Sequence, residues 1–196
     1  ADGREGSLCG NGSRCMVKFA EKLGINKEKY SFLASDGAHE AVADGNIVRL
    51  KMHDVQNIRK YLNYYEADTG SPHYVEFLGS VQAIDVKAEG AKIRYNEKYS
   101  KEGINVNFVE CIDEGILMRT YERGVEDETF SCGTGVTAAA IIYAVDNKLI
   151  SGNYTIPVKV LGGELKVSFH KLSDDHFTDV WLIGPAEFVF EGVVEL

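Results

Sequence analysis

The sequence predicts an α+β fold in which curved, mostly antiparallel sheets wrap around central helices. Three observations predict it. Short segments of alternating apolar and polar residues recur along most of the chain between Gly and Asp turns. One helical stretch, residues 136–145, is apolar on nearly every face and so should be buried all round, most simply inside a curved sheet. The pattern Cys-Gly-x-Gly occurs twice, at Cys9-Gly10-Asn11-Gly12 and Cys132-Gly133-Thr134-Gly135, each copy opening a helix-like segment. The copies lie 123 residues apart, about one domain length, which predicts two similar, pseudo-symmetric domains.

After the first motif, Met16, Phe19, Ala20 and Leu23 recur at i, i+3, i+4 and i+7, with Lys18, Glu21 and Lys22 between them. This predicts one amphipathic helix, stopped by Gly24. Strands are expected at residues 30–34, 40–43 and 47–53, the last two joined by a turn at Asp44-Gly45. The pattern continues at 75–78, 83–86, 92–95, 106–111 and 116–122. The apolar helix follows the second motif. Strands then return at 155–161, at 165–170 after a Gly162-Gly163 hairpin turn, at 177–183 and at 187–190. Eight residues precede Cys9, too few for the strands that lead into the second copy, so the first half is expected to lack its opening strands.

Composition excludes several classes of function. The 196 residues are 44% hydrophobic and 26% charged, as in a soluble globular protein large enough to bury a core without disulfides. Lys and Arg total 21 against 30 acidic residues, a net charge of -9, and no basic run interrupts the balance. Nucleic acid and anionic membranes are therefore poor partners. The longest apolar stretch is too short to span a bilayer, and the polar start does not resemble a secretory signal. Four cysteines without a C-x-x-C pair, and five scattered histidines, show no zinc pattern. Free thiols in a reducing, cytoplasmic compartment are expected, with no metal.

The two motif cysteines carry the chemistry. Thiolate is the reactive form, and a helix N-terminus lowers a thiol pKa while its unpaired N–H groups bind anions. Two equivalent cysteines point to a reaction needing a thiol on each face of one carbon. One removes a hydrogen, the other returns one, and the carbanion between is stabilised electrostatically. The glycines are expected to let backbone approach substrate closely, with unusual φ allowed. Cys15 and Cys111 lack this setting and are assigned structural roles, as are His39, His53, His170 and His176.

At these residues the chain resembles the diaminopimelate epimerase family. The matching stretches are Ala1-Asp2-Gly3, Cys9-Gly10-Asn11-Gly12-Ser13-Arg14-Cys15, Pro72-His73, Asn105-Val106-Asn107-Phe108, Tyr121-Glu122-Arg123-Gly124 and Cys132-Gly133-Thr134-Gly135. They occur in the family's order and are spread over most of the chain. The resemblance implies a cofactor-independent conversion of LL-diaminopimelate to the meso isomer, with Cys9 and Cys132 as the acid/base thiols. It implies that Gly10, Asn11, Gly133 and Thr134 hold the reacting carboxylate, and that Asn105 and Arg123 bind the distal amino-acid end. Arg123 suits that task because a guanidinium forks onto a carboxylate. Glu122 would accept hydrogen bonds from a substrate ammonium or from His73, which would modulate the reacting centre.

Two departures stand out. The family usually has Asn-Pro-His where this chain has Ser71-Pro72-His73, so one substrate contact should be shifted, lost or taken over by water. The family's usual chain also begins earlier, in a region that contributes substrate-binding residues. The family's topology places residues 1–54 and 184–196 in one epimerase half and 55–183 in the other, with the site between them. The expected partner is a small amino-acid substrate, and a homodimer is expected because the family often forms dimers. The alternatives are another cysteine-pair racemase, of the proline or hydroxyproline type, and an inactive epimerase fragment.

Overall fold

The computed structural model describes residues 8–193, so the Ala1-Asp2-Gly3 stretch lies outside the described residues. The first motif opens helix α1 (Gly10–Lys22), followed by β1 (Tyr30–Ala34), β2 (Gly37–Asp44) and β3 (Ile47–Lys51). Short strands β4 (Val55–Gln56), β5 (Arg59–Lys60) and β6 (Tyr65–Asp68) lead to β7 (Pro72–Phe77) and helix α2 (Val86–Arg94). Then come β8 (Asn105–Ile112), β9 (Gly115–Glu122), β10 (Asp127–Thr129) and helix α3 (Gly133–Asp146). The chain continues through β11 (Gly152–Val160), β12 (Gly163–Ser173) and β13 (His176–Pro185).

The strands form one 13-stranded sheet in the order β1-β2-β3-β13-β12-β11-β9-β8-β7-β6-β5, with β10 on β9 and β4 on β13. Only the β7–β8 and β9–β11 pairs are parallel among the described residues. The sheet curls around α3, which packs against β6 to β9 and β11 to β13. Every α3 residue from Gly133 to Ile142 is buried, as its apolar sequence predicts. α2 covers the outer face of β8 and β9 through Val86, Val106, Phe108 and Tyr121. These strands therefore have both faces buried. Val106 and Phe108 face α2, whereas the alternate residues Asn105 and Asn107 face the start of α3. Among the described residues no helix is long and apolar enough to cross a membrane.

Three expectations need correction. The strands expected at 83–86 and 92–95 are absent: residues 83–85 are the turn and cap that lead into α2, and residues 92–94 are its last turn. Asp85 caps that helix by accepting from the Ala88 amide at 3.0 Å, and Lys92 and Arg94 sit in its last turn. Residues 187–190 form no strand: Phe188, Val189 and Phe190 are exposed beyond Pro185, with no neighbouring strand to pair them. The α1 stripe of Met16, Phe19 and Leu23 faces outward. The inner face is built from Gly10, Ser13, Arg14 and Val17: a Cβ on Gly10 would lie 2.8 Å from Leu182, and buried Arg14 is held by hydrogen bonds to Gly10, Asn11 and Pro185.

The β8–β9 turn requires glycine. Gly115 has φ +141°, and a Cβ there would lie 2.2 Å from the Pro157 carbonyl oxygen on β11. Gly115→Ala is expected to destabilise the fold by about 2–4 kcal/mol. Urea unfolding checks this, and an unshifted midpoint would contradict so close an approach.

Candidate active site

Both motif cysteines are helix N-caps in nearly the same conformation: φ -103° and ψ 102° for Cys9, φ -112° and ψ 110° for Cys132. Each passes its carbonyl to the helix, accepting from the Ser13 amide at 2.9 Å and the Val136 amide at 2.8 Å. The amides ahead of those donors have no carbonyl partner within the helix; Gly12 gives its own to Cys9 Sγ, and the first amides of both helix starts point the way an anion would need.

The two starts touch. A Cβ on Gly133 would lie 3.2 Å from the Gly10 Cα, and one on Gly10 would lie 3.4 Å from the Gly133 Cα. None of the four motif glycines has positive φ. The expectation of unusual φ is thus corrected: close approach of the two helices accounts for Gly10 and Gly133. The Asn11 amide locks the contact by donating to the Ser131 carbonyl at 3.1 Å, while its oxygen accepts from the buried Arg14 at 2.9 Å.

These helix starts form one wall of a cavity of about 320 Å³. Cys9, Gly10 and Asn11 line it from α1, and Cys132, Gly133 and Thr134 from α3. Ser71, Asn105, Glu122 and Arg123 line the opposite side from the ends of β7, β8 and β9. Of the expected site residues, only His73 is absent from the lining; it is fully buried behind Thr134. Cys15 and Cys111 are exposed and lie outside this cavity.

The thiols differ in setting. Cys9 is exposed and its sulfur accepts from the Gly12 amide at 3.4 Å. Cys132 is 8% exposed. Burial, with the Glu122 charge added, pushes its thiol up to about 11, while the Thr134 hydroxyl and Gly135 amide partly offset the rise. Cys132 is therefore a thiol at neutral pH.

Behind it, adjacent strands supply a directed chain of hydrogen bonds. The Asn107 amide donates to His73 Nδ1 at 3.1 Å and to the Tyr74 carbonyl at 2.8 Å, and its oxygen accepts from Thr120 at 3.0 Å. With Nδ1 accepting, His73 Nε2 carries the proton and donates to Thr134 Oγ1 at 2.9 Å. Thr134 Oγ1 in turn lies 3.5 Å from Cys132 Sγ, and its hydroxyl is free to donate to that sulfur whenever it is a thiolate. Burial, reinforced by the Arg123 charge, lowers His73 to about 3, so the imidazole is neutral.

Across the cavity, the Arg123 guanidinium donates to the Glu102 carbonyl at 3.1 Å and to Ser71 Oγ at 3.2 Å. Among the described residues it has no carboxylate partner, although the chain is strongly acidic. Asn105 spends its side chain on positioning: it donates to Ser71 Oγ at 3.0 Å and to the Pro72 carbonyl at 3.1 Å, and accepts from the Arg123 amide at 2.9 Å. Ser71, where the family usually has Asn, receives two donors and keeps its own proton to give. Glu122 accepts from Thr129 at 2.8 Å. Ser131 Oγ is buried with no protein partner. The cavity thus sets an unpaired cation, a carboxylate and converging amides around two thiols, a match for a zwitterion with more than one carboxylate.

The profile of the diaminopimelate epimerase family matches residues 65–189. Diaminopimelate epimerase of Flavobacterium psychrophilum is 48% identical over 196 residues, covering 99% of this chain and 75% of that protein. The chain belongs to the diaminopimelate epimerase family. It is accordingly an isomerase. The diaminopimelate epimerase of Chlorobaculum tepidum is 40% identical, with coverage of 100% of this chain and 78% of that protein. Solved structures extend the likeness of fold. A Bacillus anthracis phenazine biosynthesis protein of the PhzF family has TM-score 0.73 at 14% identity, covering 98% and 78% of the two chains. A hydroxyproline epimerase from Agrobacterium vitis has TM-score 0.67 at 13% identity, covering 93% and 64%.

For this family member, sequence reasoning gave no separate role to Asn107, Thr120, Ser131 or Arg14. Asn107 and Arg14 sat inside matching stretches; the partners of Asn107 are distant in sequence, whereas Arg14 bonds Asn11 and Gly10 nearby as well as distant Pro185. Nothing local marks Asn107 as the group that orients His73.

Proposed function

We propose that this cavity converts LL-diaminopimelate to meso-diaminopimelate by two-base proton transfer, serving lysine and peptidoglycan synthesis. The observation that carries the reading is the pair of like-conformed N-cap cysteines on one cavity, above two helix starts in contact. The substrate α-carboxylate sits at the amides following Cys9 and Cys132, with the α-carbon between the sulfurs. One cysteine, as thiolate, takes the α-proton, and the C–H electron pair moves into the carboxylate, whose growing charge the amides stabilise. The other thiol delivers its proton to the opposite face, so configuration inverts and thiol and thiolate exchange places. Cys132, protonated when free, enters as the acid, and Cys9 as the base. The Thr134 hydroxyl, oriented by His73, donates to the sulfur of Cys132 once it has lost its proton.

At the far end Arg123 holds the distal carboxylate, and Glu122 accepts from an ammonium. Asn105 fixes Ser71 and Arg123 in place. A proline-type substrate has no distal carboxylate and would leave Arg123 unused. Incubation in heavy water tests the reading: meso product should carry deuterium at the inverted α-carbon, while proline is untouched. Turnover of proline with none of diaminopimelate would overturn it.

Arg123→Leu should lower kcat/KM for diaminopimelate by about 10²–10³-fold, the cost of removing one partner of a desolvated charge pair. Steady-state kinetics reads this, and a loss below tenfold would place the distal carboxylate elsewhere.

A further inference from the structure

A second cluster of chemically active side chains lies outside the cavity. Asp36, in the β1–β2 turn, His39 on β2 and His53 just after β3 bring their ligand atoms within 4.8 Å of one another. We propose that these three side chains bind a divalent transition-metal ion, with Zn²⁺ the best chemical match. The sequence alone leaves both histidines structural, because neither stands in a family motif and the five histidines are scattered along the chain.

The arrangement of polar atoms carries the inference. His39 is 2% exposed, and its Nδ1 lies 3.1 Å from the Lys51 carbonyl, which can only accept. Nδ1 therefore carries a proton. A backbone carbonyl in this role commonly orients a metal-ligating histidine. In the neutral ring, Nε2 is a bare lone pair pointing at Asp36 Oδ1 3.0 Å away. Two acceptors at that distance need a cation between them. The other carboxylate oxygen, Oδ2, is buried without a hydrogen-bond partner, and His53 Nε2 stands 3.4 Å from it. Protons alone would have to charge both rings, His39 against Oδ1 and His53 at a long 3.4 Å from Oδ2, whereas one metal ion takes both neutral rings and the carboxylate.

Spacing and access fit as well. Ligands on a tetrahedral zinc with bonds of about 2.0–2.1 Å sit roughly 3.3–3.4 Å apart; His39 Nε2 lies 3.0 Å from Asp36 Oδ1 and His53 Nε2 3.4 Å from Oδ2, and with all three groups within 4.8 Å a turn of the exposed His53 ring closes the set. Two imidazoles and a carboxylate are a ligand set shared by first-row metals, and with one water they complete the three-ligand set that zinc takes in open sites. The His53 side chain is 46% exposed, which supplies an entry path and freedom to complete the geometry. A fourth position is left for water. The site also abuts the turn before β7: a Cβ on Gly70 would lie 3.0 Å from Asp36 Oδ2, and Gly70 precedes Ser71, which lines the functional cavity. A bound ion would tie the β1–β3 hairpins together and brace the turn that presents Ser71.

Titration of the purified chain with Co²⁺, followed by visible absorption, tests the proposal. One equivalent should develop a ligand-field band without a thiolate charge-transfer band, and Zn²⁺ should bleach it. His53→Ala, at a half-exposed position, should weaken binding at least tenfold, and His39→Gln should do the same in a sample shown to be folded by circular dichroism. A Cys9→Ser, Cys132→Ser double variant should keep the band, separating this site from the thiols. Absence of the band, its persistence in both histidine variants, or its loss in the cysteine variant would each overturn the proposal.

Discussion

Replacing either Cys9 or Cys132 by alanine is expected to lower diaminopimelate epimerisation by about 10³-fold or more, because a positioned acid or base contributes 10²–10⁴-fold and inversion needs both. The two variants should differ in what survives. With one thiol left, α-hydrogen exchange into solvent can continue at the face that thiol reaches, without inversion. Exchange measured in heavy water from each isomer separately should therefore show opposite residual preferences in the two variants. Epimerisation within tenfold of the parent in either variant would rule out the thiol pair. The surroundings of Cys132 add a further reading: buried and a thiol up to about pH 11, it should resist alkylation at neutral pH while exposed Cys9 reacts. Peptide mass spectrometry after brief iodoacetamide treatment separates them.

The second large effect concerns acid stability. His73 is fully buried and its pKa falls from 6.5 to about 3 on folding, through burial first and the Arg123 charge second. Between those values the unfolded chain binds a proton that the folded chain refuses. Its contribution is intact above pH 6.5 and is lost as pH drops toward 3. Across the whole window it amounts to roughly 4–5 kcal/mol, large against the usual stability of a domain. Unfolding free energies for the parent chain and His73→Gln, measured from pH 7 to pH 4, should differ in slope, the parent falling more steeply. Superimposable slopes would show that His73 does not enter the folded state as a neutral ring.

Legibility differed by element, for physical reasons. The hairpin at Asp44-Gly45 and the Gly162-Gly163 turn were readable because local backbone demands select those residues. α3 was readable because a helix without a polar face has only one place to go. α2 was misread although Asp85, Glu89, Lys92 and Arg94 were all consistent with helix ends. Alternation in a short segment outweighed capping in the reading, whereas packing of Gly90 against Tyr121 decides the matter. β4, β5, β6 and β10 went unseen, being two to four residues long and defined by partners rather than by pattern.

The sequence by itself determined that two cysteines stand before glycine-started helices, since capping and turn formation depend on neighbours along the chain. Ser71, Asn105, Glu122 and Arg123 entered only through the family resemblance, because nothing in their local spacing marks them. The tertiary structure alone decided that Gly10 meets Gly133, that Cys132 is buried while Cys9 is exposed, and that Asn107 and His73 direct a hydrogen bond at one sulfur. It also decided that Asp36, His39 and His53 converge. Each of these depends on desolvation and on contacts between residues far apart in the chain, which only the curled sheet brings together.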